Sequence, residues 1–245
     1  MKIVTRTIHT ATGFILARLF PKTCAVCSRE GEWLCAACAP KMPISENNRC
    51  HFCLRPAVLG ICPDCRYYGL NALWANYDYS FAPLAKLIKN YKYHFVRSLD
   101  EPLGSLLVKG WELFQAEADS LPLRPHWIER IDLMVPIPLY KRRYNWRGFN
   151  QSYELAAMLK RVSGITLDAA GLQRIRHTSA QAGLSAHVRR KNLEGAFRWR
   201  GKDLHGLNVL LIDDVLTTGS TLLQAAKTLK QAGAKNVIGF ALAKD

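Results

Sequence analysis

Beyond residue 70 the apolar positions switch repeatedly between a period of two and the 3.6-residue period of a helix. Leu73–Tyr79 alternates aromatic and small residues and predicts a strand. Phe81–Phe95 predicts a helix, with Leu84, Leu87, Ile88 and Tyr91 on one face and Lys86, Lys89 and Lys92 down a side that reads as solvated. Leu103–Ala116 repeats that pattern, and Ser120–His126, rich in Pro, predicts a surface loop. Ile131–Ile137 reads as a core strand, Gln151–Val162 as a helix and Leu172–Arg176 as a short strand. Val209–Ile212 reads as a buried parallel strand, Leu222–Lys230 as a helix, and Asn236–Ala243 as a last strand. Strands and helices in alternation predict an α/β domain with a parallel sheet, its site at the strands' carboxyl ends. Thr12–Phe20 is apolar but short and interrupted by Arg18, which predicts one amphipathic helix over residues 1–20 and no cleaved leader. No apolar run reaches membrane-spanning length.

The most informative stretch is Val209–Thr221, VLLIDDVLTTGST. An apolar strand ends in Asp213 and Asp214, and a turn of Thr217, Thr218, Gly219, Ser220 and Thr221 leads into a helix. Free N–H groups at a helix start, flanked by hydroxyls, suit a phosphate because dipole and donors point the same way. The carboxylates suit two vicinal hydroxyls. Together they predict a site for a ribose 5-phosphate, with the diol on the aspartates and the phosphate on 217–221. A P-loop ATPase reading requires G-x-x-x-x-G-K-[ST], and the nearest stretch, Gly195–Asp203, has the wrong spacing and Asp203 in place of the hydroxyl.

All eight cysteines lie within residues 24–65 as four C-x-x-C pairs: Cys24/Cys27, Cys35/Cys38, Cys50/Cys53 and Cys62/Cys65. Two such turns complete a tetrahedral thiolate shell, so the count predicts two structural Zn²⁺ sites with no ligand to spare. Sequential and interleaved closure both fit the spacing. A segment of this size buries little apolar area, so metal would supply most of its folding energy. His51, adjacent to a ligand but superfluous as a ninth, reads as a surface side chain. The expected compartment is the cytoplasm, where disulfides are rare.

Charge sharpens the picture. The chain carries +15 overall. Residues 139–202 hold fourteen basic and three acidic side chains, a net +11, with Trp146, Phe149, Phe197 and Trp199 among them. Such a field favours a polyanion or a phosphorylated ligand. Arg142, Arg143, Trp146, Arg147, Phe149, Arg189, Arg190 and Lys191 are therefore candidates for single-stranded DNA contacts, through phosphates and base stacking.

VLLIDDVLTTGST resembles the signature of type I phosphoribosyltransferases, which bind phosphoribosyl pyrophosphate (PRPP). With the four C-x-x-C pairs, VPIPLYKRRYNWRGFNQS and RIRHTSAQAGLSAHVRRKNLEGAF in the same order, the chain resembles the ComF/GntX family of competence and DNA-utilisation proteins. That resemblance implies a small double zinc ribbon (residues 21–70) joined to a phosphoribosyltransferase-like domain (71–245). It implies that Asp213 and Asp214 hold ribose hydroxyls and Mg²⁺-linked water, and that 217–221 hold the 5-phosphate. Pro138, Leu139, Lys141, Arg142 and Arg143 would face the pyrophosphate from a loop after the first core strand. His177–Phe197 would form a flap closing over PRPP. The role implied is cytoplasmic: natural transformation, or use of external DNA as a nutrient, with single-stranded DNA, PRPP and a helicase-like protein as partners. An active phosphoribosyltransferase on an unidentified base or amine is the alternative, and the residues name no catalytic group.

Overall fold

In the computed structural model the described residues are 21–66, 69–177 and 193–245. The expected N-terminal helix (residues 1–20), most of the expected flap, and Arg189, Arg190 and Lys191 lie outside them. The chain divides into two compact units, Met1–Met42 and Pro43–Asp245.

In the first unit, Cys24, Cys27, Cys35 and Cys38 converge. Its knuckle is closed by the Ser28 N–H on the Cys24 carbonyl, 2.8 Å, with Ser28 at φ 61°. The second unit repeats the device: the Leu54 N–H reaches the Cys50 carbonyl at 2.9 Å, with Leu54 at φ 62°. Here Cys50, Cys53, Cys62 and Cys65 converge, and the short helix α1 (Pro63–Arg66) carries the last of them. Closure is therefore sequential. This tetrad is built into the larger unit's core, where Cys50, Ile61, Cys62 and Cys65 share one cluster with Leu73, Leu211 and Leu222. His51 is not a surface side chain. Its Nε2 lies 3.3 Å from Asn47 Oδ1, and burial, aided by the Lys244 charge, lowers its pKa to about 4.

The larger unit is a five-stranded sheet in the order β1 (Ala72–Asp78), β7 (Asn236–Lys244), β6 (Asn208–Leu216), β2 (Leu133–Pro136) and β3 (Thr166–Leu167). All its pairings are parallel, as the apolar strand runs predict. Neighbouring rows of the sheet feed two cores. Trp74, Phe240 and Ile212 stand in register, and Phe240 meets Trp111 and Phe114 of α3 (Asp100–Asp119) edge-on at 5.5 and 5.8 Å. The adjacent row is Leu73, Gly239, Leu211 and Val135; it packs with α7 (Ser220–Gln231) and the second tetrad. A Cβ at Gly239 would lie 2.6 Å from Leu73 Cδ1 of β1, so glycine is what leaves room for that side chain, with Leu222 Cδ1 of α7 at 3.4 Å.

Two expectations shift. β4 (Leu172–Arg174) does not join the parallel sheet; it pairs antiparallel with β5 (Phe197–Trp199) in a separate ribbon at the two ends of the expected flap. Trp199 fills the gap between Gly171 and Gly201 there and donates from Nε1 to the Lys202 carbonyl at 2.8 Å. The edge strand β3 has no signature in the sequence, because two residues carry no period. The other elements are α2 (Ala82–Tyr93), α4 (His126–Glu129), α5 (Lys141–Arg147) and α6 (Gln151–Ser163).

Candidate functional site

β6 does not stop at the acidic pair. Its pairing with β2 ends at Ile212, but its pairing with β7 runs on through Asp213, Val215 and Leu216. The aspartates thus stand on a strand held on one side and open on the other, beside the carboxyl end of β2. Residues Thr217–Gly219 then turn the chain into α7, with Gly219 at φ 70° as the N-cap and no side chain capping the helix. A turn needing φ > 0 explains the glycine. Thr217 is exposed, Thr218 and Thr221 are half-buried, and Thr218 Oγ1 lies 2.8 Å from Ser220 Oγ. The sequence-predicted phosphate residues are therefore gathered at one bare helix N-terminus.

Phe52, between two cysteines of the second tetrad, packs onto this turn. A Cβ at Gly219 would lie 2.8 Å from Phe52 Cε1 and 3.5 Å from Leu216 Cδ1. The sequence gives no hint of that contact, since 167 residues separate the two.

The acidic pair is held by protein groups acting on one oxygen of each carboxylate. Asp213 Oδ1 accepts from Ser152 Oγ at 3.1 Å and from the Asp214 N–H at 2.9 Å. Asp214 Oδ1 is ion-paired with Lys92 Nζ at 2.9 Å, both side chains largely buried. Lys92 is thus not on a solvated face, contrary to its helical spacing; it closes the site from α2. Burial raises the Asp213 pKa to about 7, with the Asp214 charge adding to the rise and Lys92 opposing it. Burial also works against the Lys92 charge, but Asp214 more than offsets it, and its pKa lies above the ordinary range.

The RGFNQS run gains definite roles. Gly148, at φ 77°, ends α5. Phe149 is 3% exposed, its ring 5.0 Å from Tyr91 and under the Arg97 guanidinium, so, contrary to the expectation from sequence, it offers no face to a base. Asn150 caps α6 by accepting from the Ser152 N–H at 3.2 Å and ties it to the residue after β2 by donating to the Ile137 carbonyl at 3.0 Å. Arg147 turns inward, its Nη1 on Gln151 Oε1 and its guanidinium 5.6 Å from the Tyr93 ring centroid. It is half-buried, which lowers its pKa although Asp214 pulls the other way. It buttresses the site rather than standing free as a surface phosphate contact.

The segment expected as a pyrophosphate loop is in part a helix. Pro138 and Leu139 form the turn, and α5 carries Lys141 and Arg142, exposed, and Arg143, half-buried. Tyr140 at its start meets His177 edge-on at 5.3 Å. Arg174 on β4 has its pKa lowered by burial and by the nearby Arg143. Trp146 is 58% exposed, whereas Phe197 is buried.

The cysteine tetrads pass a geometric test for metal. Ligand sulfurs in each lie within 4.8 Å of one another, with Cys27–Cys35 at 3.7 Å and Cys53–Cys62 at 3.5 Å. A tetrahedral shell with zinc–sulfur bonds of about 2.3 Å has edges of about 3.8 Å. No helix among the described residues is long and apolar enough to cross a membrane.

Comparison with known proteins places this geometry. The phosphoribosyl transferase domain family matches residues 147–245. DNA utilization protein YhgH of Salmonella typhi is 32% identical over 225 residues, covering 83% of this chain and 93% of that protein. Competence protein F of Haemophilus influenzae is 34% identical over 164 residues, covering 66% and 68%. Competence protein ComFC of Bacillus subtilis is 30% identical over 216 residues, covering 86% and 84%.

Proposed function

The chain belongs to the ComF family of competence and DNA-utilization proteins, and from that premise we propose that it binds single-stranded DNA and a PRPP-type ligand in DNA uptake or utilisation. The observation that carries the ligand half is the acidic pair on β6 followed, five residues after Asp214, by the left-handed Gly219 and the uncapped start of α7. The ribose diol would bind the Oδ2 side of Asp213 and Asp214, whose Oδ1 atoms are taken by Ser152 and Lys92. The 5-phosphate would sit on the hydroxyls and N–H groups of Thr217–Thr221. Lys141, Arg142 and Arg143 of α5, with Pro138 and Leu139 before it, would face the pyrophosphate, whose charge Mg²⁺ would offset. Zinc in both tetrads is structural, because a closed four-thiolate shell leaves no open coordination position.

The DNA half rests on family membership and on the +11 charge of residues 139–202. The protein would act in the cytoplasm, on the strand delivered there, alongside a helicase-like partner. PRPP would then be an anchoring or regulatory ligand. A second reading, transfer of the phosphoribosyl group to a base or amine, is favoured by the same diol-and-phosphate site, since positioning supplies most of what such a reaction needs.

Equilibrium PRPP binding with and without Mg²⁺, in wild type and Asp213→Asn/Asp214→Asn, tests the site. The double variant is expected to bind at least about tenfold more weakly, the loss of roughly one charged hydrogen bond. Unchanged affinity removes the ribose assignment. Oligonucleotide binding across salt concentrations is expected to show a steep slope, about −0.7 per phosphate contacted. Pyrophosphate release with a panel of bases separates the binding reading from the transferase.

A further inference from the structure

The tail of α2 and the face of α5 meet in a cluster of exposed rings that neither helix's packing explains. Tyr93 is 54% exposed, Phe95 39% and Trp146 58%. Phe95 and Trp146 lie edge to face, ring centroids 5.0 Å apart. Phe95 is held at φ 56°, a left-handed conformation that is costly for a bulky residue and is not offset here by burial. Tyr93 carries the Arg147 guanidinium against its ring.

The surroundings are cationic. α5 reads KRRYNWR, without one carboxylate, and Lys141 and Arg142 are exposed on it. The cluster also borders the acidic site: Tyr93 follows Lys92, which is bonded to Asp214. Flat faces accessible to solvent beside fixed positive charge are what an unpaired strand requires, with bases on the rings and phosphates on the cations. A protein partner would be served as well by aliphatic side chains. None is exposed in this cluster.

We propose that Tyr93, Phe95 and Trp146 form a stacking platform for unpaired bases of a single DNA strand, whose backbone runs along the basic face of α5. This rests on the DNA half of the function proposed above, and it brings in two residues, Tyr93 and Phe95, that lie outside the basic segment. It also assigns separate tasks: rings take bases, while Lys141 and Arg142 take phosphates.

The test uses the full-length, zinc-loaded protein and two fluorescent oligonucleotides of equal length, one of thymidines and one abasic throughout. Wild type is expected to bind the thymidine strand at least tenfold more tightly than the abasic one. In Phe95→Ala/Trp146→Ala, which leaves Tyr93 in place, that preference is expected to fall by about tenfold, with the abasic affinity and the salt slope unchanged. Phe95→Tyr/Trp146→Phe, which keeps both rings, is expected to retain it. Equal wild-type affinity for both strands, or an undiminished preference in the alanine variant, overturns the platform and leaves DNA binding standing. Binding of neither strand by wild type at low salt removes the DNA half of the function and the platform with it. If the alanine and the ring-keeping variants lose the preference alike, the rings serve packing and the platform is wrong.

Discussion

Two residues carry opposed requirements at the acidic site. Asp213 is held by burial and by the Asp214 charge at a pKa of about 7, above its unfolded value. A carboxyl raised in this way contributes stability that is fully present below the unfolded pKa, near 4, and is lost as pH rises through 7. Asp213→Asn, neutral at every pH, is therefore expected to raise the unfolding free energy at pH 8 by on the order of 2 kcal/mol and to give no gain at pH 4. Urea unfolding at the two pH values measures this, and an equal effect at both would show that charge is not the cause. Lys92 works in the other direction. Lys92→Met leaves Asp214 beside Asp213 without its counter-ion, so the variant is expected to lose about 1–3 kcal/mol at pH 8. The Asp213 titration, followed by carboxyl NMR, should move further up. The acidic pair is thus opposed by its own burial and neutralised from α2.

At the scale of elements, the second cysteine knuckle and the turn Thr217–Gly219 are one structure. Cys50, Cys62 and Cys65 share a core with Leu216, Leu222 and Leu223, and Phe52 lies on Gly219. Metal at this tetrad would fix the position of Phe52, and through it the entry to α7. Cys50→Ser/Cys62→Ser is expected to destabilise the larger unit by more than roughly 3 kcal/mol and to weaken ribose 5-phosphate binding with it. Phe52→Ala keeps all four thiols and is expected to weaken that binding by roughly tenfold, through a misplaced turn. Calorimetric titration with ribose 5-phosphate distinguishes the two. An unaffected affinity in Phe52→Ala would mean that the turn is held by its own backbone. Gly110 shows a similar dependence on close approach: a Cβ there would lie 2.1 Å from Asn76, which is buried and bonded to Trp74 Nε1 and the Ala241 carbonyl.

For the whole molecule, the division between Met42 and Pro43 separates the two tetrads. The larger unit has its own sheet, both helical layers and one tetrad. A chain cut to residues 43–245 is therefore expected to fold, to bind one equivalent of zinc, and to keep the ribose 5-phosphate affinity of the full protein. Zinc release on thiol titration and a two-state urea transition check this. Loss of folding would mean that the first unit contributes more than its own metal shell.

The sequence by itself determined a good deal. Runs such as Val209–Ile212 and Asn236–Ala243 announce parallel strands because a strand covered on both faces must be apolar throughout. VLLIDDVLTTGST announces its strand, acid pair, turn and helix start because they are contiguous, so local chemistry suffices. The cysteine count predicts two four-thiol clusters, and the described residues hold both. What only the tertiary structure decided lies in contacts between distant residues, for which no period exists. Lys92 has the spacing of a solvated lysine, and only the folded position of the end of α2 brings its ammonium to Asp214. Phe149 has the composition of a stacking residue, but Tyr91 and Arg97 bury it. Phe52 meets Gly219, and β4 leaves the sheet for β5, because the core closes over them in three dimensions. A period reports which face of an element is covered; the residue that covers it is chosen by packing.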